Sequence, residues 1–285
     1  MCPMNPRLLR PLASGVHPEA AAWRSAVVAN GGGTPSATTM RAVSKLCSDI
    51  DKAGIRDRFF RLGIFAGPSL NACLVPLYRG QSRTGTQFGN TTDTNNGPFV
   101  SGDYAETGAS GGLTGNGSSK YLNTGLAPSV LSDTSRHLAA YVGSVSNLAF
   151  SAYMACRSTG STGFFKLWMV SSTTLRYHTL GPNTAPTIGD VANHAAGFYH
   201  GDNDATTGYY YRNGVESVTA DTGQTPTAGA TRNVLVFANN TENGVEGFSN
   251  GRLCGYSLGA YMTATQKADY YTAMQAFQTA LSRQV

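Results

Sequence analysis

The sequence predicts a mainly β protein, an antiparallel sandwich of the jelly-roll kind closed by a C-terminal helix, and three observations carry that prediction. Charged residues make up only 13% of 285 positions while Gly, Ser, Thr and Asn abound, a balance suited to short strands joined by many turns. Strand-like runs recur at short intervals from Lys120 to Ser257. Beyond them, Tyr270, Met274, Phe277 and Leu281 share one face of a helix running from Ala264 to about Arg283. A chain of this length can bury one large sandwich plus a smaller unit without metal or disulfide staples.

Residues 1–16 read as an extended arm. Pro3, Pro6 and Pro11 remove backbone donors, and Leu8, Leu9 and Leu12 supply apolar anchors. Residues 17–80 read as a helical docking module. Its first helix starts at Pro18 and stops at Asn30-Gly31; its second runs from near Ser36 through Met40, Val43, Cys47 and Ile50 to Gly54. Residues 81–107 lose periodicity, and Phe88, Phe99, Val100 and Tyr104 argue that this linker is pinned to a neighbouring surface.

Residues 108–285 carry the sandwich. The strand candidates are Lys120–Leu122, His137–Val142, Leu148–Cys156, Phe164–Val170, Thr174–His178, Ala195–His200, Gly208–Arg212, Val215–Val218, Asn233–Ala238 and Arg252–Ser257. Asn213-Gly214 is the clearest turn, because a type I′ hairpin needs positive φ at both central residues. Thr263 and Gln266 are spaced for a capping box on the last helix. The expected core contains Trp23, Phe59, Phe150, Trp168, Phe198, Val236, Tyr256 and Phe277.

The net charge of +5 is uneven, since residues 1–85 hold eleven Lys and Arg against four acids. Such a basic end favours an acidic partner surface, of protein rather than nucleic acid. Five cysteines, Cys2, Cys47, Cys73, Cys156 and Cys254, have no zinc-site spacing. The last four sit among apolar neighbours as small core residues; Cys2 is placed for exposure, either as a spectator or as a link to another chain. The N-terminus lacks the apolar stretch of a secretory signal, and no run approaches the ~20 apolar residues of a membrane span. The expectation is a protein made in a cytoplasm, with no membrane partner.

Motifs for chemistry are sparse. Gly112-Leu-Thr-Gly-Asn-Gly-Ser-Ser-Lys120 fails as a phosphate loop, because its Lys does not follow a Gly at the required spacing. Glu242 and Glu246 stand in a loop-like Asn-rich stretch and read as turn residues rather than a glycan-cleaving pair. His200-Gly-Asp-Asn-Asp204 offers Ca²⁺-type oxygens at Asp202 and Asp204, yet Asp and Asn also favour turns, and the spacing is not that of an EF-hand. The sequence assigns no cofactor, no metal and no catalytic residue. Tyr209, Tyr210 and Tyr211 are able to stack on sugar rings, and alternation puts Tyr210 on the face opposite the other two.

Gly112–Thr124, Tyr211-Arg-Asn-Gly-Val215 and Asn250-Gly-Arg-Leu-Cys-Gly-Tyr-Ser-Leu-Gly259 resemble laminin-G-like, concanavalin-A-like jelly rolls over about residues 108–285. Leu8-Leu-Arg-Pro11, His17-Pro-Glu-Ala20, Ala29-Asn-Gly-Gly32 and Ala53-Gly-Ile-Arg-Asp-Arg-Phe-Phe-Arg-Leu62 are similar to a family encoded by tailed bacteriophages and prophages, in which a helical module precedes the jelly roll. The resemblance implies a non-enzymatic virion structural protein, a homo-oligomer docked to other virion proteins. Arg7, Leu8, Leu9, Arg10, Arg56, Arg58 and Arg61 are the expected docking residues, and a tail or fibre position is favoured slightly over capsid decoration. The alternative is a host-glycan adhesion module using Tyr210, Asn239 and Asn240. A glycan hydrolase or lyase would need paired acids, and the catalytic carboxylates of glycanase relatives have no matching positions here.

Overall fold

The computed structural model describes residues 15–159, 163–181, 190–223 and 225–285. Its strands, in chain order, begin with β1 (Phe59–Gly63), β2 (Thr94–Asn96), β3 (Tyr104–Ala105), β4 (Gly112–Thr114), β5 (Tyr121–Asn123) and β6 (Ser135–Ser144). There follow β7 (Ala152–Cys156), β8 (Phe164–Ser171), β9 (Thr174–Gly181), β10 (Asp190–Ala192), β11 (Gly197–Asp204) and β12 (Thr207–Arg212). The last are β13 (Val215–Asp221), β14 (Leu235–Val236), β15 (Asn239–Thr241), β16 (Gly244–Glu246) and β17 (Arg252–Gly259). Four helices accompany them: α1 (Pro18–Ala29), α2 (Ala37–Lys52), the single turn α3 (Leu70–Cys73) and α4 (Ala264–Ala280).

The strands form two sheets. The first runs β13-β12-β11-β6-β17-β4-β3, with β1 also on the edge of β17; the second runs β10-β9-β8-β7-β14-β5-β2, with β15 and β16 attached beside β7. They stack face to face as an antiparallel sandwich, apart from one parallel contact between β15 and β7. The Asn213-Gly214 hairpin is as expected, with φ of 52° and 75°.

The run His137-Leu-Ala-Ala-Tyr-Val142 is apolar at almost every position, the mark of a strand covered on both faces. Leu138, Ala140 and Val142 meet Leu167, Met169 and Tyr256 between the sheets. Ala139 and Tyr141 face the other way and join Phe198, Phe59, Tyr270, Met274 and Phe277 under the helices. The molecule therefore has three layers: the second sheet, the first sheet, and a helical layer sealing the outer face of the first.

The helices start where their caps dictate. Ser36 accepts from the Thr39 N–H, and Thr263 and Gln266 close the expected capping box on α4. Trp23 of α1, Val43 and Leu46 of α2 and Phe277 of α4 share one apolar cluster with the first sheet. The N-terminal segment thus shares its core with the sandwich. Its residues 59–63 are a strand of the sandwich, Leu62 opposite Ser257 on β17. Close approach fixes the residue type there: a Cβ on Gly63 would lie 2.3 Å from the Tyr256 ring.

Residues 81–107 are pinned. They add β2 to the second sheet and β3 to the first, and they bury Phe99 and Asp93. No helix of the described residues is long and apolar enough to cross a membrane.

Candidate functional site

The expected docking residues do not converge. Arg7, Leu8, Leu9 and Arg10 lie outside the described residues. Arg61 is fully buried: it ion-pairs with Asp93 at 2.6 Å and donates to the Tyr256 hydroxyl at 2.9 Å, while that hydroxyl donates to Asp93 at 2.7 Å. Its place in docking is corrected to that of an internal clamp joining β1, β17 and the linker. Arg56 is likewise engaged, with Glu19 at 2.8 Å, the Gly80 carbonyl at 2.6 Å and the Tyr78 ring beneath it. Arg58 is more exposed and stands beside Asp57.

Tyr210 is also corrected. It lies between the sheets with its ring 5.2 Å from Tyr177, where no sugar reaches it. Strand alternation sends Tyr209 and Tyr211 to the opposite face, as expected, but there they pack with Tyr261 around the buried Lys267 ammonium at 4.5–4.8 Å. Lys267 pairs with Asp202 at 2.7 Å, and Asp202 also meets His200 and accepts from the Met262 N–H. Asp202 is consequently occupied, and Asp204 accepts from the Tyr209 hydroxyl. This buried network ties α4 to the first sheet. Burial, with help from neighbouring positive groups, holds His137 and His200 below the ordinary histidine range.

The outer face of the second sheet carries another group of side chains, of which Phe164 and Lys166 are each 3% exposed, Trp168 is half-buried and Phe150 is exposed. On β8, Phe165, Leu167 and Met169 enter the core, so Phe164, Lys166 and Trp168 point outward, and neither aromatic belongs to either buried cluster. Phe150 precedes β7, is 66% exposed and holds its ring 6.2 Å from Trp168. Both aromatics were expected in the core; that expectation is corrected. The Lys166 ammonium sits 4.3 Å over the Phe164 ring and 4.7 Å over Trp168. Burial and the charge of Arg157 bring it down to about 8. On the adjacent strand His178 pairs with Lys166 in the ladder, and burial followed by the Lys166 charge pushes it down to about 3.

Asn239 and Asn240 belong to this face. Asn239 pairs with Ala155 of β7, and Ala155 pairs with Lys166. The Asn239 amide donates to Glu246 at 3.2 Å, and Arg157 bridges Glu242 at 3.2 Å and Glu246 at 3.9 Å. Asn240 donates to the Asn233 carbonyl and accepts from the Arg157 N–H. The residues that sequence reasoning missed are Phe150, Trp168, Arg157 and Lys166. One signal was present: a single Lys in Phe-Phe-Lys-Leu-Trp-Met-Val marks the outward parity of β8, and Trp168 shares it.

No family model and no curated relative matches this chain. Solved structures with a similar arrangement include a Trypanosoma rangeli sialidase mutant displaying trans-sialidase activity, 12% identical with a TM-score of 0.49 over 84% of this chain and 39% of that one. The NanB sialidase from Streptococcus pneumoniae is 16% identical, TM-score 0.38, over 54% of this chain and 26% of that chain. The CBM40 module of a Ruminococcus gnavus IT-sialidase, bound to α2,3-sialyllactose, is 13% identical, TM-score 0.35, over 44% of this chain and 74% of the module. This chain thus spans only 26% of NanB and 39% of the trypanosomal enzyme. The expectation that the chain is not an enzyme is corrected, because sialidases stand among its structural neighbours and the fold sets no catalytic role aside.

Proposed function

We propose that the chain is a structural component of a tailed-phage virion, anchored through its N-terminal side and displaying the sandwich, with a tail or fibre position favoured slightly over capsid decoration. The observation that supports this most is polarity. Gly15 and Val16, where the arm leaves, lie in a groove beside Met40, Arg41 and Ser44 of α2, in the helical layer. The aromatic face of the second sheet lies on the opposite side of the molecule. An anchored, displaying protein needs two such ends. Two of the segments that carry the resemblances, one from the helical module and one from the jelly roll, are also joined: Phe59–Gly63 pairs with Tyr256–Gly259. The partners on this reading are other virion proteins and further copies of the chain.

Quantitative mass spectrometry of purified particles tests it. A ratio to the major capsid protein that scales with the shell places the chain on the head, and a few copies per particle place it on the tail. Absence from particles overturns the proposal. Removing residues 1–14 is expected to abolish incorporation while leaving the sandwich folded.

A second reading, adhesion to a host surface glycan, is favoured by the exposed Phe150 and half-buried Trp168 on the face that also carries Arg157, Asn239, Glu242 and Glu246.

A further inference from the structure

We infer that the outer face of the second sheet around Trp168 and Phe150 is a saccharide site, and that its ligand is a neutral sugar seated on the two rings with its hydroxyls turned to Arg157, Asn239, Glu242 and Glu246. The inference rests on the adhesion reading and deepens it.

Four observations converge. Phe150 is the most exposed aromatic described, and its φ of 55° lies in the left-handed region, costly for a bulky side chain. The backbone holds it there by a buried network. The Ser146 and Ser151 hydroxyl oxygens lie 2.9 Å apart, Ser151 donates to the Leu148 carbonyl, Ser146 donates to Asn250, and the Tyr153 hydroxyl accepts from the Ser146 N–H. A strained, rigidly supported, outward-facing ring presents apolar area with little entropy left to lose on binding. The second wall, Trp168, meets it at 47°, and its indole N–H has no hydrogen-bond partner among the described residues.

The polar side matches hydroxyls. Asn239 is 4% exposed, and its amide oxygen also lacks a partner among the described residues. Glu242, Glu246 and Arg157 offer planar acceptors and donors side by side, suited to pairs of adjacent hydroxyls. The charges on this face are mixed, Arg157 and Lys166 beside Glu242 and Glu246, so a ligand with no charge of its own settles there with the least repulsion from either sign.

The test uses the full chain. It holds two tryptophans, and Trp23 is 2% exposed, so emission accessible to a quencher comes from Trp168. Cellotetraose, maltotetraose, mannotetraose and xylotetraose are titrated as neutral probes, with trigalacturonate as the acidic one, following iodide quenching. At least one neutral probe is expected to shield Trp168. Phe150→Ala is then expected to weaken binding about tenfold, the worth of one aromatic contact, while Val215→Ala, exposed on the first sheet, leaves it unchanged. Shielding by trigalacturonate alone overturns the inference. So does calorimetric binding that survives both Phe150→Ala and Trp168→Phe in folded protein, or retention on purified host envelope polysaccharide without any shielding; in those two cases the adhesion reading stands. No retention on envelope polysaccharide and no shielding sinks the adhesion reading with it.

Discussion

The two sheets carry opposite fates on their outer faces. That of the first sheet is sealed by α1, α2 and α4, and Tyr141, Phe198 and Cys254 vanish beneath them. That of the second sheet keeps Phe150 and Trp168 at the surface and lines them with ions. Strand alternation sends one set of side chains outward from each sheet. What separates them is the chain left over to cover them: the helices come from residues 18–52 and 264–280, and both segments dock on one side. An aromatic on the sealed face is cohesion, and an aromatic on the open face is available to a ligand.

Three measurements would break or sharpen this contrast. The largest effect is expected for Arg61→Met, which strands Asp93 in a site no more than 2% exposed and should cost about 3–5 kcal/mol in urea unfolding. A loss below about 1 kcal/mol would mean that water reaches the clamp. Next come the two tryptophans. Trp23→Ala, in the sealed layer, is expected to cost about 3–5 kcal/mol, and Trp168→Ala only about 1–2 kcal/mol, since part of its surface already meets water. Equal losses would show that the second sheet's face is covered as well.

The smallest effect per group is a pH slope. His137, His178 and His200 are held below the ordinary range by burial, His178 at about 3, whereas the unfolded chain protonates them near 6.5. Below that pH the unfolded state binds protons that the folded state refuses. Stability is therefore full above about pH 7 and falls as the pH drops, by at most about 1.4 kcal/mol per pH unit for each histidine. Unfolding midpoints between pH 7 and 5 check the sign. His178→Gln should flatten the slope by one histidine's share, and a slope unchanged by that variant would show that His178 protonates in the folded state.

Much of the fold was legible. The Asn213-Gly214 turn, the Thr263–Gln266 cap and the doubly apolar β6 each announce themselves locally, because turn dihedrals, caps and alternation depend on a few neighbouring residues. β1 was not legible: Phe59-Phe-Arg-Leu-Gly63 has an Arg at its centre, and only Asp93 and Tyr256, distant in sequence, make that charge tolerable inside. The candidate site was half legible. Asn239 and Asn240 were picked out and do join the patch, but Tyr210 was placed on the wrong side and Trp168 was taken for core. Residue type tells that an aromatic wants cover and not whether cover arrives.

The sequence by itself determined where most of the longer sandwich strands, the Asn213-Gly214 turn and the α4 cap fall, and that a helix closes the chain, since these rest on local dihedral preference and a period of two or 3.6. Only the tertiary structure decided which face of which sheet the helices seal, that Arg61 would be an internal clamp, and that Phe150, Trp168 and Arg157 would meet at one surface. Those outcomes depend on pairing between segments as far apart as β1 and β17, and the free energy of covering a surface belongs to both partners at once.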